Sequence, residues 1–263
     1  MSFRKFLVEF RAAWFLAIEY RVSVFIWIIA IVLPLIMLAA WLSIAQNGSV
    51  GNFDRGAFIS YYLAAVIVRN MTGVWFIWEM DRDIRFGELS FRLLRPMNPI
   101  IHYMALSLSS KPLRVVLLVP ATILVLLYVP GVQLTESPAL WIIFMLSLAG
   151  SWAILFLTQY IIGLFGFWIT QSLSLNDVWF GAYSLCSGYL IPLTLLPPPL
   201  RQAFEVLPFQ YTMSFPINVL RNQLTAGQAF GRLLIQWVWV LVFYSAYRFV
   251  WLRGLKRYSA VGA

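Results

Sequence analysis

Side chains able to carry out chemistry are few in this 263-residue chain. His102 is the single histidine and Cys186 the single cysteine, so one chain cannot build a Cys/His metal site or a disulfide framework. The sequence has no Gly-x-x-x-x-Gly-Lys-[Ser/Thr] motif, which excludes a P-loop for ATP phosphates. It also lacks Gly-x-Ser-x-Gly and a carboxylate pair inside an apolar run. We therefore predict no catalytic residue, no metal ligand and no cofactor held by this chain alone.

The composition is that of a membrane protein. Hydrophobic residues make up 62% of the chain and charged residues 11%, and several apolar runs reach the ~20 residues needed to cross a bilayer core. These runs lack the alternation of barrel strands, and backbone groups in lipid must be hydrogen-bonded internally, so an all-α helical bundle is predicted. The net charge of +9 lies beside the apolar runs, which indicates membrane topology and no nucleic-acid partner.

We predict six transmembrane helices in a single domain of residues 1–263. The predicted spans are residues 22–45, 57–78, 113–129, 139–169, 177–196 and 233–252. Residues 1–21 carry apolar and charged side chains on opposite faces, which predicts an interfacial amphipathic helix, either a simple anchor or a functional part. Lys and Arg concentrate before the first span, after the second and after the last. Both termini are therefore predicted to be cytoplasmic.

One long charged segment, residues 79–99, separates two apolar runs. Residues 84–95 are predicted to form a helix that Pro96 and Pro99 end. At about 100° per residue, charged and apolar side chains fall on opposite faces. The charged face holds Arg85, Glu88, Arg92 and Arg95, and the apolar face holds Phe86, Leu89, Leu93 and Leu94. Glu88 precedes Arg92 by four residues, so this short, rigid helix is predicted to contain an ion pair between them.

Arg69 lies near the middle of the second predicted span, beside Asn70. An arginine in lipid costs about 2.5 to 3.5 kcal/mol on insertion scales, so its side chain is predicted to face protein or a water-filled cavity. Gln159, in the fourth predicted span, is a further polar side chain able to bond across helices. Arg69, Asn70 and Gln159 are candidate residues of a translocation path. The alternative is that Arg69 anchors neighbouring helices.

Residues 197–218 cannot form a straight span, because prolines recur through them. We predict broken half-helices that dip into the outer leaflet as an external re-entrant segment. An ordinary extracellular loop is the alternative. The candidate external gate residues are Pro198, Phe204, Pro208, Phe209 and Pro216.

Three stretches resemble one known family. The run of Gly87, Leu89, Leu93, Leu94 and Pro96 resembles the G-x-L-x-x-x-L-L-x-P signature in the first cytoplasmic loop of ABC-2 type transporter permeases. Residues 207–216 are similar to the P-F…P element of that family. Residues 253–262 resemble an R-G-L-K-x-Y-x-x-x-G ending found in one of its subgroups.

In that family the first cytoplasmic loop carries a coupling helix, which docks into a cleft of an ATPase subunit. The coupling residues implied by the resemblance are Arg85, Gly87, Glu88, Leu89, Arg92, Leu93, Leu94, Arg95 and Pro96. Gly87 would allow close approach, the leucines would anchor one face, and Arg92 and Arg95 would meet polar groups of the motor. The implied partners are an ABC ATPase dimer, which binds ATP and Mg, a second permease chain, identical or related, and the lipid bilayer.

The function implied by the resemblance is that of a permease subunit of an ATP-driven exporter. Its substrate would be hydrophobic or amphiphilic, such as a drug, a lipid or a glycan, and its location a bacterial cytoplasmic membrane. One alternative is a membrane scaffold or assembly subunit that transports nothing. Another is an ion-coupled carrier, although the predicted spans bury no Asp or Glu near the midplane.

Overall fold

The computed structural model describes residues 3–19, 21–129, 131–132, 134–169 and 171–258, except for the side chains of 21–31 and 47. Over these ranges the protein is all-α, as predicted. The helices are α1 (Phe3–Glu19), α2 (Arg21–Ile44), α3 (Arg55–Thr72), α4 (Ile77–Arg85), α5 (Glu88–Leu94), α6 (Pro99–Ser109), α7 (Lys111–Tyr128), α8 (Pro138–Leu164), α9 (Ser172–Cys186), α10 (Pro198–Val206), α11 (Ser214–Leu220) and α12 (Ala226–Gly254). Met1, Ser2 and Tyr20 of the predicted interfacial helix, and Gly262 of the C-terminal motif, lie outside the described residues.

Four helical stretches are long and apolar enough to cross a membrane. They are Arg55–Arg85, Pro99–Tyr128, Pro138–Phe167 and Ala226–Gly254, and they overlap the second, third, fourth and sixth predicted spans. The chain is therefore a multi-pass membrane protein. α2, with 24 residues, occupies the first predicted span. The total of six spans stays a prediction.

The centre of the bundle is α8, which packs against α3, α9, α11 and most extensively α12. Gln236 on α12 is fully buried, and its Nε2 donates to the Ser147 carbonyl at 2.9 Å and to the Tyr211 carbonyl at 2.8 Å. Gly150 makes room for this side chain, because a Cβ there would lie 2.7 Å from Gln236 Cδ. The Nε2 of this buried amide thus fastens α12 to α8 and to the 3-10 segment Pro208–Thr212.

The second predicted span, residues 57–78, is not one continuous helix. α3 ends at Thr72, and residues 73–76 are not helical before α4 begins at Ile77. Lys111 Nζ donates to the Gly73 carbonyl, and Arg114 Nη1 donates to the Asn70 carbonyl at 3.4 Å. Two cations at the start of α7 therefore satisfy carbonyls at the C-terminus of α3, where the helix dipole also favours positive charge.

The fifth predicted span, residues 177–196, is also shorter than predicted. α9 has 15 residues, about 22 Å at 1.5 Å per residue, which is less than a bilayer core. The helix stops before Gly188, which has a φ of 87°. Tyr61 donates to the Gly188 carbonyl at 2.5 Å and Tyr62 to the Leu190 carbonyl at 2.7 Å. These two tyrosines of α3 replace the hydrogen bonds that a continued helix would make.

Candidate functional site

Residues 84–95 form parts of two helices, so the prediction of one continuous helix is wrong. The N–H of Phe86 donates to the Arg82 carbonyl at 2.9 Å and closes α4. Gly87 follows in the left-handed region with a φ of 75°, and α5 begins at Glu88. A glycine in this conformation just past the end of a helix is a common C-terminal cap, because it lacks the Cβ that would clash there.

The break changes the partner of Arg92. Its Nε lies 2.6 Å from Asp83 Oδ2 and its Nη2 lies 2.9 Å from Glu79 Oε1. Glu88 instead lies 3.9 Å from Arg82, so the predicted pair of Glu88 with Arg92 is wrong. The Arg92 side chain is only 16% exposed and is bound within this chain. Burial lowers the pKa of Arg92, but the hydrogen bond to Asp83 and the neighbouring Asp83, Tyr103 and Glu79 together outweigh it, so the net effect is a raised pKa.

Two further helices join this ion pair. His102 on α6 places Nδ1 2.9 Å from Glu9 Oε2 on α1 and Nε2 3.1 Å from Glu79 Oε1 on α4. Tyr103 donates to Asp83 Oδ2 at 2.5 Å. We call this set the charged network; its members are Glu9, Glu79, Asp83, Arg92, His102 and Tyr103. It holds α1, α4, α5 and α6 in one arrangement.

Part of this network had a signal in the sequence. Glu79 and Asp83 are four residues apart, and residues at that spacing share a face of a helix. Glu9 and His102 are 93 residues apart, and no local pattern connects them. Reasoning from the sequence therefore missed the carboxylates that bind Arg92 and also the histidine.

The apolar residues of this region divide into an anchored and an exposed group. Leu89 is fully buried in the core of this chain. Phe86, Phe91 and Leu94 are 74%, 72% and 84% exposed. We call these three residues the α5 apolar surface. Arg85, Glu88 and Arg95 also have largely exposed side chains, at 42%, 50% and 58% respectively. An exposed apolar centre with a charged rim is typical of a docking surface for another protein.

A small cavity brings together two of the three predicted path residues. Arg69 and Gln159 line a space of about 110 Å³, which we call the Arg69 cavity. Asn70 does not line it, and its side chain instead donates a 2.9 Å hydrogen bond to the Val66 carbonyl of its own helix. The Arg69 guanidinium is buried among aromatic rings. Its central carbon lies 5.3 to 5.5 Å from the ring centroids of Trp75, Phe180, Tyr183 and Tyr189. Cation–π contacts thus stabilise a charge that lipid would penalise.

The wall of the Arg69 cavity also holds polar groups that sequence reasoning missed. Asn176 and Asp177 of α9 line it, together with Trp75 and Trp78, whose rings stack at 5.7 Å. Gln159 Oε1 and Asn176 Oδ1 are buried and accept no hydrogen bond from any described residue. Because unsatisfied buried acceptors are costly, this cavity is suited to a group that donates hydrogen bonds.

The predicted gate residues lie in short helical pieces, as the proline pattern indicated. Pro198 begins α10, which also contains Phe204. Pro208 begins the 3-10 segment, and the Phe209 ring lies 6.5 Å from Trp179. Pro216 is buried within α11. The segment is thus packed into the bundle and is not a free loop.

Long apolar helices, an exposed apolar surface and an internal polar cavity are typical of membrane transport subunits. A family model described as ABC-2 family transporter protein matches residues 19–262. The chain belongs to this family, and so it is the membrane permease of an ABC transporter and not the ATPase. The family implies an ABC ATPase as partner. Comparison with curated proteins finds no match for this chain.

Proposed function

We propose that this chain is one half of the permease of an ATP-driven exporter in a bacterial cytoplasmic membrane. A separate ATPase dimer supplies the energy, and a second permease chain, identical or related, completes the pathway. Both termini and α5 face the cytoplasm. The substrate is a hydrophobic or amphiphilic molecule such as a drug, a lipid or a glycan.

The observation that carries this proposal is the α5 apolar surface. Phe91 and Leu94 are three residues apart on α5, so both can enter one cleft of a partner. Large apolar side chains that fill a pocket supply most of the binding energy of such contacts, while exposed rim charges mainly guide association. Leu89 and Arg92 are not contacts of the ATPase in this proposal. They fix α5 to the rest of the chain.

The charged network gives the movement of α5 a route into the membrane. Arg92 binds α4 through Asp83, and α4 is joined to α3 by the non-helical residues 73–76. Val74 and Trp75 of that connection line the Arg69 cavity. A displacement of α5 by the closing ATPase dimer would therefore move α4 as a lever and change the shape of the cavity. In this proposal the Arg69 cavity belongs to the substrate path.

Docking is tested by replacing Phe91 and Leu94 with Asp in one variant. Two charges in an apolar interface would abolish copurification of the ATPase, because desolvating each carboxylate is unfavourable. Val206→Asp is the matched control, since Val206 is an apolar residue 72% exposed on α10, on the opposite side of the membrane in this proposal. Equal ATPase recovery with the Phe91/Leu94 variant and with wild type would refute the docking assignment.

A further inference from the structure

A second polar cavity lies among α3, α10, α11 and α12, far in sequence from the charged network. Its volume is about 350 Å³. Three arginines line it, namely Arg201 of α10, Arg221 just after α11 and Arg232 of α12, and the one lining carboxylate among the described residues is Glu205. We call it the three-arginine cavity. The charged groups of its wall thus carry a net positive charge, which attracts anions.

Arg221 is the feature that points to a ligand. The side chain lines the cavity although only 8% of the residue is exposed. Phe53 and Tyr61 cover it, with their ring centroids 5.1 and 5.5 Å from the guanidinium carbon. Its Nε is buried and donates to no acceptor among the described residues. A buried guanidinium N–H without an acceptor is an unsatisfied hydrogen-bond donor, which an acceptor atom of a ligand would satisfy.

The carboxylates near Arg221 are engaged elsewhere. Glu205 accepts a hydrogen bond from Arg201 Nε at 2.8 Å, and Asp54 caps α3 by accepting from the Ala57 N–H at 2.7 Å. Burial lowers the pKa of Arg221, and the neighbouring Tyr61 and Asp54 offset this only in part. The guanidinium therefore lacks a counter-ion bonded to it among the described residues. Arg232 on α12 likewise makes no ion pair with any residue that the structure describes.

Neutral donors complete the wall of the three-arginine cavity. The lining amide side chains are Asn52, Gln210, Asn218, Gln223 and Gln228. Amides of this kind pair with hydroxyl groups, whereas guanidinium groups match the oxygens of phosphate and carboxylate. The volume is near the lower end for ligand sites, so it suits a headgroup and not a whole lipid.

We propose that the three-arginine cavity binds an anionic headgroup, a phosphate or carboxylate flanked by hydroxyl groups. Arg221 and Arg232 bind the anion, and Arg201 exchanges part of its contact with Glu205 for the ligand. On the proposed orientation the cavity opens to the external side, so this inference deepens the proposed function. An amphiphile with an anionic head would occupy it during release, and an outer-leaflet lipid with the same head would compete.

The test uses the purified full chain in nanodiscs of neutral phosphatidylcholine, without ATPase and without transport. One arm titrates inorganic phosphate and glycerol 1-phosphate by calorimetry. A second arm adds phosphatidylglycerol to the nanodisc and counts retained lipids by native mass spectrometry. Saturable binding in either arm is expected, and the arm that responds identifies a soluble or a lipid source. No anion binding in either arm would overturn the proposal.

Three variants assign the binding to this cavity. Arg221→Gln and Arg232→Gln should each weaken binding about tenfold or more, because each removes a charge-assisted hydrogen bond. Arg55→Gln is the matched control, since Arg55 is an exposed arginine at the start of α3 that does not line the cavity. Arg232→Gln keeps the test valid if Arg221→Gln fails to fold. Equal binding by Arg232→Gln and Arg55→Gln would refute the assignment.

The outcome is independent of the exporter proposal. Loss of ATPase docking in the α5 variant leaves this binding measurement unchanged, because the ATPase is absent from it. Absence of anion binding, in turn, would leave the docking experiment and the role of α5 as they stand.

Discussion

Replacing Arg92 with Gln should destabilise the chain strongly, although Arg92 lies in a segment that connects two spans. Arg92 is 16% exposed, and its partner Asp83 is fully buried. After the change, Asp83 keeps the hydrogen bond from Tyr103, but its charge is uncompensated and its Oδ1 accepts from no described residue. Breaking a buried ion pair from one side costs about 3 to 5 kcal/mol. Because Asp83 keeps the hydrogen bond from Tyr103, the expected loss in the free energy of unfolding is ~3 kcal/mol, which lowers the folding equilibrium constant roughly 150-fold.

Arg82→Gln is the matched control for this prediction. Arg82 lies in the same segment and pairs with Glu88 at 3.9 Å, and the two side chains are 56% and 50% exposed. Solvent screening limits such a pair to about 1 kcal/mol or less. Denaturant unfolding in detergent, followed by circular dichroism, should show a much larger drop in the midpoint for Arg92→Gln than for Arg82→Gln.

A double variant identifies the cause of the loss. Asp83→Asn combined with Arg92→Gln removes both charges and should recover most of the stability, because the main penalty of the single change is the unpaired buried carboxylate. Equal midpoints for Arg92→Gln and Arg82→Gln would refute the reasoning. So would a double variant that is no more stable than Arg92→Gln alone.

The remaining predictions concern two glycines. Gly87→Ala should cost about 1 to 2 kcal/mol and weaken ATPase recovery, because alanine must adopt a φ of 75° at the start of α5; wild-type stability in the variant would contradict the role of this cap. Gly150→Ala should cost about 1 to 3 kcal/mol, since its Cβ would meet Gln236 Cδ at 2.7 Å. Gly227→Ala, also in a helix but with nothing within 4 Å of its Cβ, should not destabilise, and similar unfolding midpoints for the two variants would contradict the packing argument.

Helices set by the length of the bilayer were predictable from sequence. Runs such as residues 139–169 and 233–252 are apolar for long enough that lipid and the need for internal hydrogen bonds leave little choice. Their counterparts, Pro138–Phe167 and Ala226–Gly254, are long apolar helices in the structure. The broken character of residues 197–218 was equally visible, because proline removes a donor and fixes φ wherever it occurs.

Breaks that depend on distant partners were not predictable. Gly73 ends α3 where Lys111 and Arg114 supply donors for the released carbonyls, and those residues belong to another helix. The same holds for Gly188, whose carbonyl is bound by Tyr61. A glycine within an apolar run is compatible with a continuous helix. Whether the helix ends there depends on hydrogen-bond donors from other helices. Arg69 and Gln159 of the Arg69 cavity were predicted, but its second wall was not, because that wall comes from α9.

The contact of α1 with α6 has a consequence for synthesis of the chain. Glu9 is made early, but two of its charged partners, Arg95 and His102, follow 86 and 93 residues later. Because proteins are made from the N-terminus onward, α1 cannot reach its final packing until α6 has been synthesised. The docking of α1 onto α6 therefore has to follow the synthesis of the whole intervening segment, residues 20–98.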